Sequence, residues 1–315
     1  MQQIARVVVW PVVVTLSIAG FALGFATGQP LVALMLVPAA MTALLVPLEH
    51  WMPAVGQGSA LDDPQVGHDI VHSLVGQGFG NQLGGAIVAG AMALPLGWAG
   101  GRFGFAFWPT GWPLALQVLV GILVADGMEY ARHRAAHHYQ MLWRVHALHH
   151  SGDRMHVLKS GRGHFLDMVL RHLLLFLPLA AIGTPTTVLM AYVAAVTVLG
   201  PIGHSNVDVR LPSFLHWLVM TPQVHRIHHA QERELALANY VNVFPVWDVL
   251  FGTFQDPTRV QPTGFGIEND TMPRSLWGQI AAPFAWGRLV MRAAERPGST
   301  AGPSGVGTLA HEHRV

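Results

Sequence analysis

Two copies of one short pattern hold the residues best suited to chemistry. They are His146-Ala147-Leu148-His149-His150 and His225-Arg226-Ile227-His228-His229, both H-x-x-H-H, and His133-Arg134-Ala135-Ala136-His137 precedes the first. On a helix, positions i, i+3 and i+4 lie on one side, so each box is expected to aim its imidazoles at a common point. Imidazole nitrogen suits iron, zinc, copper and nickel. The boxes supply eight candidate ligands, His133, His137, His146, His149, His150, His225, His228 and His229, more than one zinc ion takes and enough for two metals. A lone histidine is usually a surface or hydrogen-bonded core residue, but repetition of the pattern argues against chance. H-E-x-x-H is absent, which disfavours a zincin protease. No Glu-x-x-His pair flanks the boxes, so the carboxylate-rich soluble di-iron bundle is not the template either.

Composition says where such a site would sit. The 315 residues are 51% hydrophobic and 11% charged, with a mean hydropathy of +0.39, whereas soluble domains carry about 25% charged residues. The chain therefore reads as membrane-embedded. A net charge of +1 offers no field for nucleic acid. The absence of cysteine excludes disulfides, thiolate metal sites, iron–sulfur ligation and a cysteine nucleophile together.

Apolar runs supply the positioning elements. Residues 7–26 and 31–48, parted by Gly28-Gln29-Pro30, are each near the roughly 20 residues that span a bilayer. A signal peptide is the competing reading of the first run, and the second span that follows at once argues against it. Residues 67–98, interrupted by His68, Asp69, His72, Gln77, Asn81 and Gln82, suit one long span or a re-entrant pair. Within them Gly76-Gln77-Gly78-Phe79-Gly80 fits close helix packing better than a nucleotide loop. Another span starts at Trp112 and runs into the polar stretch 126–134, and a hairpin follows from 165–182 and 186–203 about Gly183-Thr184-Pro185. The expectation is an all-α integral membrane protein with four to six transmembrane helices and a cytoplasmic helical cap that holds the histidines. Arg132, Arg134, Arg144, Arg154, Lys159, Arg162, Arg210, Arg226 and Arg233 flank the boxes, and Arg102 alone marks the opposite loops. The positive-inside rule then places the boxes and both termini in the cytoplasm, although residues 49–69 carry acids without bases. The expected divisions are an N-terminal transmembrane region, 1–111, a catalytic domain, 112–260, an interfacial segment, 261–294, and a disordered tail, 295–315.

The run Asp126-x-x-x-Tyr130-x-x-His133-Arg134-x-x-His137, then Leu142-Trp143-x-x-His146-x-x-His149-His150-Ser151, resembles the fatty acid hydroxylase/sterol desaturase superfamily. So do Gly203-His204-Ser205-Asn206, Thr221-Pro222-x-x-His225-Arg226-x-His228-His229, Asn239-Tyr240 and Trp247-Asp248-x-x-Phe251-Gly252-Thr253. The resemblance implies a membrane-bound oxygenase with two non-haem irons, where zinc is the other ion such a site can carry after purification. O2 is the co-substrate and a membrane lipid the substrate: a sterol or hopanoid, a carotenoid, a fatty acyl chain or an aminolipid. It also implies His204 as a ninth ligand. Some relatives carry a tenth histidine where this chain has Gly200 or Asp208, so Asp208, Asn206 through water, or an open position would stand in.

Metal-bound imidazoles commonly donate their other N–H to a carboxylate or carbonyl. Asp126, Glu129 and Asp248 are the acids nearest the motifs. Glu129, one turn before His133, is placed to orient it, with an ion pair to Arg132 or Arg134 as its other role. Arg162 and His164 resemble a family R-x-H element. No flavin- or nicotinamide-binding motif is present, so a separate ferredoxin, cytochrome or reductase is the expected electron donor. Hydroxylation is the favoured reaction and desaturation at the same site the alternative. Metal-ion transport and haem binding are the non-enzymatic readings. Composition points to a bacterial inner membrane.

Overall fold

The computed structural model describes residues 1–92 and 107–295. Arg102, the loop around it and the tail beyond Glu295, with His311 and His313, lie outside the described residues. Among those described, helices alone form the framework, and the two antiparallel bridges, Pro53 with Val207 and Ala230 with Phe265, are isolated.

Three helical hairpins point the same way. Helix α1 (Gln2–Ala26) and α2 (Pro30–Trp51) turn at Gly28, whose φ of 69° suits glycine. Next, α3 (Val66–His72) continues through a π-helical stretch, Ser73–Gly80, into α4 (Asn81–Ala91), and α5 (Leu114–His138) comes back. After α6 (Gln140–His150), the helix α7 (Phe165–Arg171), a π-helical turn His172–Phe176 and α8 (Leu177–Ala181) run outward. They turn at Gly183, φ 80°, and α9 (Thr186–His204) returns. Four of these helices, α1, α2, α5 and α9, are long and apolar enough to cross a membrane. The stretches 66–91 and 165–181 accompany them as broken helices, so the four long helices fall at the lower end of the expected four to six.

Apolar side chains such as Ile4, Leu16, Leu23, Leu31, Met35 and Leu119 are exposed on the long helices, as lipid contact requires. Small residues bring the helices together. A Cβ on Gly121 of α5 would stand 2.1 Å from Val188 Cγ1 of α9, so Gly121→Ala is expected to lower stability by about 1–3 kcal/mol through overpacking. Thermal unfolding in detergent checks this, and Val188→Ala in the same chain should restore most of the loss. Gly76 and Gly80 let the first π-helical stretch approach the carbonyls of Gly163 and Phe165, so packing explains this glycine run.

The cap closes one end of the hairpins. It holds α6 and the short helices α10 (Leu215–Leu218), α11 (Pro222–His228), α12 (Arg233–Ala236) and α13 (Val246–Leu250). Thr221 starts α11, with its hydroxyl accepting from Val224 N, and Pro222 fills the first helical position, where no N–H is needed. The last helix, α14 (Leu276–Ala294), lays Ala282 and Trp286 on Ala147 and Leu148 of α6. Arg6, near the start of α1, pairs with Asp208 at 2.7 Å, so the chain's beginning lies at the cap.

Glu49 at the end of α2, Asp63 in the loop that follows and Asp69 in α3 are buried. Glu49 accepts the backbone N–H groups of Val157 and Asn206, while Asp63 and Asp69 pair with Lys159. Those acids tie the loop to the cap and carry no information about the membrane side. The same holds for Arg132, Lys159 and Arg162, all buried.

Candidate metal centre

Nine histidines converge where α5, α6, α9 and α11 meet. They form two groups: His133, His137, His146, His150 and His228, and His149, His204, His225 and His229. Within each group the ligand-capable atoms all lie within 4.8 Å of one another. His133 and His137 close α5, and His204 is the last residue of α9.

Each H-x-x-H-H box is divided between the groups, which corrects the expectation of a common point. Turning about 100° per residue, positions i and i+4 fall about 40° apart, and i+3 points about 100° away from i+4. In the first box His146 and His150 join one group and His149 the other; in the second, His225 and His229 pair and His228 crosses over. The rings of His150 and His229 stack at 4.4 Å between centroids, so the two groups share a wall.

The outer nitrogens fix the tautomers. His133 Nδ1 donates to Tyr240 O at 2.7 Å, His228 Nδ1 to Ala238 O at 2.7 Å and His204 Nδ1 to Gly200 O at 2.7 Å. His149 Nδ1 donates to Arg162 O at 3.1 Å and His146 Nδ1 to the Asp167 carboxylate at 2.9 Å. A carbonyl or carboxylate can only accept, so the proton is on Nδ1 and Nε2 keeps its lone pair. Burial first, and neighbouring imidazoles second, hold His149, His150, His225 and His229 well below the ordinary 6.5, so these rings are neutral at pH 7.

Yet Nε2 faces Nε2 at short range. The separations are 3.0 Å for His228 and His133, 3.1 Å for His137 and His150, and 3.2 Å for His150 and His146. In the other group they are 3.3 Å for His204 and His149, 3.2 Å for His225 and His204, and 3.1 Å for His229 and His225. In the His228–His133 and His204–His149 pairs both tautomers are fixed, so two unprotonated nitrogens face each other and repel unless a cation lies among them. Two nitrogens bound about 2.1 Å from one ion at right angles stand about 3.0 Å apart. The residues present therefore fit two nitrogen-bound metal ions. A porphyrin would need two imidazoles held apart on either side of its plane, which this packing does not offer.

The remaining candidates stand further out. Asp126 accepts the backbone N–H groups of Asn242, Val243 and Phe244, and Asp248 accepts those of Tyr240 and Val241. Both acids thus shape the loop whose Tyr240 carbonyl holds His133, and neither meets an imidazole. Glu129 pairs with Arg132 and Arg171 and leaves His133 to that carbonyl. Asp208 is engaged by Arg6, and Asn206 spans Val55 and Gly58, so neither takes the place of a tenth histidine. His164 caps α7 and donates to Ile280 O, away from both groups.

Asp167 is the functional residue that motif reasoning missed. Its carboxylate joins His146 to Arg132 Nη1 at 2.9 Å, and Glu129 grips the far side of that guanidinium. The available signal was an acid inside an otherwise apolar run, where ionisable groups default to function.

A cap-side pocket of about 280 Å³ is lined by Asp63, Gln65, Arg154, Arg162 and Phe265 among others. A narrow cleft with no room for a water molecule shares Ser151, Gly152, Arg154, Phe265 and Gly266 with it and is lined also by Lys159, His149, His150 and His229. At its edge His156 Nε2 lies 3.0 Å from Asp63 Oδ2. Burial opposes both charges, but their mutual hydrogen bond and Lys159 take Asp63 well below 3.8, and the two acids raise His156 above 6.5. The Asp63 contribution to stability is complete above the ordinary carboxylate value and fades as pH falls. The His156 contribution is complete below 6.5 and fades as pH rises through its raised value. The contribution of this pair is therefore expected to be fullest between about pH 4 and pH 6.5: the difference in unfolding temperature between wild type and His156→Gln, in which the other histidines cancel, should be largest there and shrink as pH rises further.

Comparison with known proteins matches this arrangement. The fatty acid hydroxylase profile fits residues 118–253, which include every histidine of both groups. The chain is also 32% identical over 281 residues, 88% of its own length and 83% of the relative's, to the ornithine lipid hydroxylase OlsE of Rhizobium tropici. The chain belongs to the fatty acid hydroxylase family. It is similar too to the very-long-chain aldehyde decarbonylase GL1-6 of Oryza sativa subsp. indica, 29% identical over 155 residues, and to Protein CER1-like 2 of Arabidopsis thaliana, 32% over 150. Those stretches are 45% and 43% of this chain and 24% of each plant protein. No solved structure matches the chain. Membership makes this a lipid-modifying enzyme of the oxidoreductase kind and the histidine groups a site compatible with metal.

Proposed function

We propose that the protein is a membrane-bound di-iron oxygenase that hydroxylates a C–H bond of a membrane lipid, with O2 and externally supplied electrons. The observation that carries this reading is the pair of all-histidine groups, five and four rings, of which five have their Nε2 lone pairs turned inward by outer hydrogen bonds. Nitrogen-rich, thiolate-free surroundings suit non-haem iron. When bound, such iron would supply the reduction of O2 and the removal of hydrogen from an unactivated carbon.

The chain's own residues do the rest. His133, His137, His146, His150 and His228 would hold one ion, and His149, His204, His225 and His229 the other. The carbonyls of Tyr240, Ala238, Gly200 and Arg162, with the Asp167 carboxylate, orient five of those rings. Burial of nearly all nine excludes bulk water. The apolar layer below, with Ala125, Leu175, Leu179, Leu199 and Met220, would receive a lipid that enters sideways from the bilayer.

An aminolipid is the first substrate to examine, because the relative that covers most of the chain is an ornithine lipid hydroxylase. A ferredoxin, cytochrome or reductase would deliver the electrons. The cap faces the cytoplasm of a bacterial inner membrane in this reading. Lipid mass spectrometry on cells with wild-type protein or a His149→Ala, His150→Ala variant tests it. A wild-type-specific lipid heavier by one oxygen is the expected result. Loss of two hydrogens would make the enzyme a desaturase, and unchanged lipids in an aminolipid-producing host with iron-loaded protein would overturn the proposal.

A further inference from the structure

We propose that Lys159 delivers protons from the cap-side pocket to the oxygen reduced at the histidine groups; this rests on the oxygenase reading above. Lys159 is the chain's only lysine, and it is 3% exposed. Its Nζ lies 2.9 Å from Asp63 Oδ2 and 3.0 Å from Asp69 Oδ2. Asp63 lines the cap-side pocket, whereas Lys159 lines the narrow cleft together with His149, His150 and His229. The amine thus stands between a water-accessible pocket and the imidazoles. Gly152, with φ 105°, lines both spaces, and a Cβ there would sit 3.1 Å from Nζ, so the glycine leaves the ammonium room.

The choice of side chain supports a proton role over a purely structural one. Two buried carboxylates need only a cation, and nearby acids receive arginine: Arg132 serves Asp167 and Glu129, and Arg162 holds the other oxygen of Asp69. A guanidinium keeps its proton near neutral pH, whereas an amine can release one. Hydroxylation of a C–H bond by O2 consumes two electrons, from the separate donor, and two protons, and yields the alcohol and one water. Lys159 gives an N–H proton to the oxygen atom that leaves as water, and the electron pair stays on nitrogen. Hydronium in the pocket then reprotonates the amine by way of the Asp63 carboxylate, and a second transfer along the same route supplies the other proton of the water.

Chemical rescue tests the proposal on the full-length, iron-loaded protein in nanodiscs. Lys159→Ala is expected to retain its iron, and its turnover should fall about tenfold or more, with hydrogen peroxide released in place of product. Small alkylamines of similar size should then bind and raise the unfolding temperature of the variant about equally, while the restored rate follows the acidity of their ammonium ions. Stabilisation and rescue that both ignore acidity would overturn the proposal, as would full coupling in Lys159→Arg. If Lys159→Ala does not fold, Asp63→Asn, which keeps the size but removes the charge and one acceptor, should show the same peroxide release, and tight coupling there would refute the route. Wild-type protein that takes up no O2 after reduction overturns the oxygenase reading itself; active wild type with coupled variants overturns only the proton route.

Discussion

His150→Ala is expected to reduce the hydroxylated lipid by more than about a hundredfold, beyond the effect usual for residues that only orient a ligand. The His150 Nε2 atom faces His137 and His146, and its ring stacks on His229 of the other group. Loss of the ring therefore removes a donor from one group and opens the wall of the other. Metal analysis should show at least one ion lost per chain, with hydroxylated lipid measured on the same cells by mass spectrometry. His50→Ala, an exposed histidine remote from both groups, should match wild type. An iron content unchanged in His150→Ala would show that the five-histidine group does not hold the metal.

Asp167→Ala should cost about 3–5 kcal/mol of stability, because it strands the buried Arg132 guanidinium with one of its two acids gone. It also frees the His146 ring to change tautomer or turn, for a loss of about 10–100-fold in metal affinity. Thermal unfolding of the metal-free protein reports the first effect and competition with a chelator the second. Asp167→Asn preserves shape and should fold better than the alanine variant yet bind metal poorly, since its amide no longer offers a charged acceptor. Wild-type metal affinity in Asp167→Asn would mean that Arg132, rather than His146, is the reason for the carboxylate.

Much of this was legible from the residue order, and the limits have physical causes. Turns at Gly28 and Gly183 and the long apolar helices follow from local propensity and hydropathy. The eight box histidines can be named because their spacing is local and their chemistry narrow, whereas His204 stands alone and is named only through the family resemblance. Their division into two groups cannot be read in this way, because helical phase says only that i+3 and i+4 diverge, and the partner across the gap lies on another helix. Asp126, Glu129 and Asp248 stand near the motifs in the sequence, but proximity along the chain does not say whether a carboxylate meets an imidazole or the backbone beside it. Asp167 escaped notice since its partners lie 21 and 35 residues away. Charge counting along the flanks rests on fewer residues than the sequence suggests, as Arg132, Lys159 and Arg162 are buried against acids and are not surface charges for a topology rule.

The crossing of each box between the groups has a consequence for how such a centre persists. Helix α6 gives two rings to one group and one to the other, and the second box gives one and two in reverse. Only α5 and α9 serve a single group each, so the two boxes stitch the halves together. Loss of either box would deplete both groups at once.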